Sequence, residues 1–114
     1  MRVVSRGYWI KEATGATTSN VFQNNSCDSL GLQVTGTFSS ATVKVQGTVD
    51  VDSSDWVDII AIDLTDMSTE TSGITAKGIY QIPIESLCNV RVNVTAVSGG
   101  NISVYAQVAD TSNT

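Results

Sequence analysis

Apolar and polar residues alternate with period two along most of the chain after residue 30. Leu30, Leu32 and Val34 hold every second position until Gly36 interrupts them. Val43, Val45 and Gly47 share one side, with Thr42, Lys44 and Gln46 on the other, and Val49 and Val51 extend the first set. The stretch Trp56 to Ile62 is denser and predicts a strand buried on both faces or close to it. Further on, Tyr80, Ile82 and Ile84 oppose Ile79, Gln81 and Pro83. Val90, Val92 and Val94 point inward against Asn89, Arg91, Asn93 and Thr95, and Ile102, Val104, Ala106 and Val108 oppose Ser103, Tyr105 and Gln107. One apolar and one polar face at this period predict antiparallel strands of a sandwich or barrel.

Turn formers fall between these runs. Thr37 to Ala41 and Asp52-Ser53-Ser54-Asp55 join successive strands, and Ser98-Gly99-Gly100-Asn101 is the strongest hairpin signal, because paired glycines supply positive φ without steric cost. Pro83, late in its run, predicts an edge strand or a strand end. Asp63 to Gly73 is the longest connection. Six strands are well marked, and one or two more are expected near Val3–Ile10 and Asn20–Gln23. The prediction is one all-β domain: a single antiparallel β-sandwich, jelly-roll or Ig-like, of about seven or eight strands. Residues 1–29 form an N-terminal arm with the first strand or strands, and residues 30–114 form the sandwich body.

Composition agrees. Among 114 residues there are 15 Val, 9 Ile and 14 Thr, against 4 Leu and 3 Glu. Branching at Cβ suits a pleated surface better than a helix. The chain contains no histidine, which removes the usual general base, the usual zinc ligand and the histidine of hydrolytic triads. No apolar run approaches the ~20 residues of a membrane-spanning helix. Residues 1–11 lack the apolar core and small-residue cleavage site of a signal peptide, so synthesis in a reducing cytoplasm is expected.

Charge is unevenly placed. Arg2, Arg6 and Lys11 give the first eleven residues +3, while Lys44, Lys77 and Arg91 against all eleven acids leave −8 for the remainder, for a net −5. With Tyr8 and Trp9, this basic, aromatic segment is a candidate docking arm; the alternative is a first strand packed on its own domain. Three cations are too few for a sequence-independent nucleic-acid site. Cys27 and Cys88 are the only thiols; Cys88 opens a strand and reads as a small core residue, and no imidazole is present to activate either. Asp50, Asp52 and Asp55 surround one turn and are the candidate Ca²⁺ ligands, or else they bond the turn's own backbone. Trp56 opens the most apolar run and reads as core rather than as a sugar platform. No phosphate loop, CxxC pair or nucleophile elbow is present, so no catalytic residue is assigned and no cofactor is expected beyond that Ca²⁺.

The run Gly31–Phe38, then Ala41–Thr48, the Asp-Ser turn, Trp56–Ile59, Gly73–Tyr80 and Val90–Val94 with its Gly-Gly turn, resembles small β-sandwich virion proteins of tailed bacteriophages. The likeness spans roughly residues 30–109 and points to the head-decoration and head-fibre-base type. It implies a non-enzymatic component of the capsid surface, bound to the major capsid protein or other virion proteins, often as a trimer. Neither nucleic acid nor membrane is an implied partner. The same fold leaves two other readings open: a tail or baseplate adaptor or receptor-binding module, and a carbohydrate-binding module assisted by calcium at Asp50, Asp52 and Asp55.

Overall fold

The structure is a computed structural model that describes residues 1–52, 54–67 and 69–111. Among these residues the chain forms eleven strands: β1 (Arg2–Ala13), β2 (Thr17–Thr18), β3 (Phe22–Gln23), β4 (Ser29–Thr37), β5 (Ser40–Thr48), β6 (Val57–Ile59), β7 (Ala61–Asp63), β8 (Glu70–Thr71), β9 (Gly78–Pro83), β10 (Asn89–Ser98) and β11 (Asn101–Asp110). One sheet runs β1-β11-β4-β9-β7-β8; the other runs β2-β10-β5-β6, with β3 also on β10, in line with β2. Every pairing is antiparallel. This is the expected β-sandwich.

The alternation read from the sequence sets the core. Leu30, Leu32 and Val34 of β4, Ile82 of β9 and Ile102 and Val104 of β11 face Val43 and Val45 of β5 and Val90, Val92 and Val94 of β10, all essentially inaccessible to solvent. Pro83 is the last residue of β9, an interior strand, where its missing N–H interrupts no further ladder.

Three expectations are corrected. The Trp56–Ile62 run is not one buried strand: β6 belongs to one sheet and β7 to the other, and the chain crosses between them at Ile60, which is exposed together with Val57. Val49 and Val51 do not continue β5; the strand ends at Thr48 and both valines lie in solvent. The Thr37–Ala41 and Ser98–Asn101 turns do not close hairpins, because β4 and β11 lie in one sheet and β5 and β10 in the other. They are arches over the end of the sandwich, laid side by side, with the Ser39 N–H donating to the Ser98 carbonyl at 2.9 Å. Residues 2–13 form the first strand, the alternative given for the basic segment: β1 pairs with β11 along its length, with register shifts at Val3/Ser5, Tyr8/Ile10 and Ile10/Ala13.

Two side chains fasten the opposite end. The Asn24 amide is buried and donates from Nδ2 to the carbonyls of Cys27 (2.9 Å), Ile84 (2.9 Å) and Leu87 (3.0 Å), while its Oδ1 accepts from the Cys27 N–H (2.9 Å). Asp28 holds the C-terminal end through both the amide and the hydroxyl of Thr111. Those two hydrogen bonds, the hydroxyl's first, pull the Asp28 carboxyl below its ordinary range. The sign follows: with a lowered pKa in the folded state, the clip is fully present above the unfolded aspartate value near 4 and is lost as pH falls through the lowered one. In an acid titration followed by NMR, the Thr111 amide is expected to move upfield and exchange faster as Asp28 protonates. A Thr111 amide indifferent to acid would contradict the clip.

Candidate interaction surface

Strand parity decides which residues of the six-stranded sheet look outward, and register brings them into rows. Tyr8 stands opposite Tyr105, Tyr105 opposite Gln33, and Gln33 opposite Ile79, so four strands drawn from distant parts of the chain contribute one row. The neighbouring row is Arg6, Gln107, Gly31, Gln81 and Ile62. Tyr8 and Tyr105 meet edge to face, with centroids 5.2 Å apart and planes at 89°, a favoured aromatic geometry. Tyr8 remains 55% and Ile79 47% exposed.

Gly31 opens a shallow hollow of about 260 Å³ in the middle of this face, walled by Gln33, Ile79, Tyr105 and Gln107. A Cβ built at Gly31 meets nothing closer than the Gln107 carbonyl at 3.9 Å, so the space comes from the missing side chain. The outward positions Ser103, Tyr105 and Gln107 of β11, Gly31, Gln33 and Thr35 of β4, and Ile79 and Gln81 of β9 carry no charge at all. Arg6 and Lys11 flank these rows from β1, and Glu70 of β8, exposed opposite Ile62, closes the second row at its other end.

The outer face of the other sheet differs, because its polar groups are already engaged with one another. The Arg91 guanidinium lies 4.3 Å from the Trp56 ring centroid and donates from Nε to Gln46 Oε1 at 2.9 Å. Gln46 Nε2 donates to Asp58 at 2.9 Å, and Lys44 bridges to the same carboxylate at 3.1 Å. The hydrogen bond from Gln46, then that from Lys44, lowers the Asp58 pKa. Trp56, read as core, is half-buried under Arg91 instead.

The predicted arm residues divide by side. Arg6, Tyr8 and Lys11 are exposed, with the Lys11 ammonium 5.4 Å from the Tyr8 centroid. Arg2 is exposed and approaches Asp110 at 3.7 Å. Trp9 turns the other way: it sits in the bulge between Tyr8 and Ile10 and stacks on Phe22 of β3, centroids 5.8 Å apart at 25°. Asp50, Asp52 and Asp55 are exposed around their turn. Asp50 accepts the Asp52 N–H at 3.0 Å, closing the turn on itself, and no group of three Cys, Asp or Glu converges to hold a metal among the described residues. Ser53 of that turn lies outside the described residues. Cys27 is buried, with its thiol pKa raised by burial, and Cys88 is half-buried; neither is bridged.

Tyr105, Gln33, Ile79, Gln107 and Gly31 were not singled out from the sequence. The available signal was Gly31, a glycine inside an otherwise regular strand, which often marks a close approach by a ligand or another backbone.

Fold and surface together define a small all-β sandwich that presents one neutral, tyrosine-bearing sheet face. The chain belongs to the XepA family, whose model matches residues 8–108. Among solved structures it is similar to the SPBc2 prophage-derived protein YomS, with a TM-score of 0.81 and 18% identity over 91% of this chain and 90% of that one. It is also similar to the PBSX exported protein XepA, with a TM-score of 0.83 and 19% identity over 91% of this chain but only 37% of the other, so the chain spans about a third of that protein. Nothing among the curated proteins matches. The prophage origin stated for YomS is of the kind the sequence resemblance points to.

Proposed function

We propose that the chain is a non-enzymatic bacteriophage structural protein of the capsid-decoration or head-fibre kind, attached as a homo-oligomer to the capsid or to another virion protein. The observation that carries this reading is the uncharged middle of the outer face of the six-stranded sheet, on β11, β4 and β9, centred on the Gly31 hollow. Tyrosine and arginine are the residues that most often anchor protein interfaces, and charge is depleted at interface centres. Here Tyr8 and Tyr105 border the hollow's row and Arg6 lies at its rim. The absence of histidine and the engagement of Asp50 within its own turn support a binding rather than a catalytic role.

Gly31→Val tests this. Its Cβ has room, valine suits a strand, and the side chain fills the hollow. The variant is expected to fold with an unchanged or slightly raised melting temperature. Its association with gradient-purified particles of the encoding phage, quantified by mass spectrometry against the major capsid protein, is expected to fall roughly tenfold or more, the effect of losing about 1.4 kcal/mol. Wild-type protein found only in the particle-free medium would overturn the virion reading and favour an exported role, the one stated in the description of the PBSX relative.

A further inference from the structure

Where β1 and the β2–β3 segment run along the open side of the sandwich, they enclose a solvent-open cleft of about 620 Å³. Trp9, Lys11 and Glu12 line it from β1, and Thr17, Thr18 and Asn20 from the segment that follows. Trp9 and Asn20 also line an adjoining hollow of about 250 Å³ that extends to Phe22.

Three features set this cleft apart. Glu12 is a non-glycine residue at φ 51°, held there by a 2.9 Å hydrogen bond from its N–H to Ser103 Oγ, where β1 bulges away from β11. Backbone held in so sparsely populated a region tends to cluster at binding sites. The hydroxyls of Thr17 and Thr18 and the side-chain amide of Asn20 make no hydrogen bond among the described residues. Ser19 between them is fully used, donating to the Asn20 carbonyl and accepting the Val92 N–H. The Lys11 and Glu12 charges cancel, so the lining is neutral overall.

We propose that this cleft is a binding site for a neutral oligosaccharide. Hydroxyl and amide side chains both donate and accept, as sugar hydroxyls do. The indole of Trp9, half-buried against the core and stacked on Phe22, is the aromatic part of the lining, the apolar surface that the C–H groups of a sugar ring would meet. The volume lies within the ~300–1,000 Å³ of ligand sites. An added peptide strand fits less well, because β1 is bulged at Tyr8/Ile10 and Ile10/Ala13 along the cleft, and bulges interrupt a ladder. The cleft adjoins the docking face at Tyr8 and Ser103 but shares no lining residue with the Gly31 hollow.

The test is an NMR titration of the full chain with cellotetraose, chitotetraose and β-galactotetraose, each at millimolar concentration. Saturable shifts of the Trp9 indole N–H and the amides of residues 12–20 with at least one sugar are expected. Thr18→Ala and Asn20→Ala, both at exposed positions, are expected to weaken that binding by roughly 2–10-fold each, the worth of one hydrogen bond. No shift with any of the three, or shifts confined to other regions, would overturn the proposal. So would shifts of the same residues that follow protein concentration alone, which would assign the cleft to a second copy of the chain.

Discussion

Asn24→Ala is expected to lose about 3–4 kcal/mol of stability, a large share of the ~5–15 kcal/mol that holds a typical domain together. The Asn24 amide ties the β3–β4 connection to the residues just before β10 through the carbonyls of Cys27, Ile84 and Leu87 and the Cys27 N–H. Alanine leaves at least two of these buried backbone groups without a partner, at about 1–3 kcal/mol each. The neighbour Asn25 is exposed, and Asn25→Ala is expected to stay within about 0.5 kcal/mol. Urea unfolding of the two variants separates the possibilities: equal midpoints would show that the amide is not a structural centre. The same geometry explains why the Asn24-Asn25-Ser26 triplet, which matches a glycosylation sequon, is unavailable as one: its amide nitrogen is buried and bonded.

Gly100→Ala is expected to cost about 2–5 kcal/mol, or to prevent folding. Gly100 has φ 147°, and a Cβ there would land on the Thr37 carbonyl oxygen in the adjacent arch. The left-handed backbone costs an L-residue about 1–2 kcal/mol, and displacing well-packed neighbours about 1–3 more. Because the obstacle is backbone, it cannot swing aside as a side chain would. Gly36 meets the Asn101 carbonyl in the same way, whereas at Gly99 the nearest atom is the Ser39 hydroxyl, a side chain that can turn. Gly15→Ala is the control, since nothing lies within 4 Å of its Cβ and it is expected to be neutral. A Gly100→Ala protein with the melting temperature of Gly15→Ala would mean that the arches are looser than the structure shows.

The inward halves of β4, β5, β9, β10 and β11 were legible in the sequence because a buried strand face imposes period two on every residue it includes. What joins those strands was not. Gly99-Gly100 is equally good chemistry for a hairpin within one sheet and for an arch between two, and only the packing of Ile102 and Val104 opposite Val92 and Val94 decides. The Trp56–Ile62 run misled for a related reason: its apolar density reflects two short strands in different sheets, with Ile60 exposed at the crossing. In β1 the exposure alternates from Arg2 to Trp9, in keeping with the strand expected near Val3–Ile10, and is lost only towards Ala13, beyond the bulge at Tyr8/Ile10. The docking face was invisible for a deeper reason. Tyr8, Gln33, Ile79 and Tyr105 are far apart in the chain, and only the register of four strands makes them neighbours.

The central claim, that the uncharged sheet face is the one the protein docks with, is tested most directly by hydroxyl-radical footprinting of the protein free and on purified phage particles. Tyr8, Tyr105 and Ile79 are expected to lose most of their oxidation when bound, while Val49 and Val57, 70% and 60% exposed and beside the other sheet, keep theirs. Unchanged oxidation of the two tyrosines in a particle-bound sample, with protection at Val49 or Val57 instead, would contradict the account.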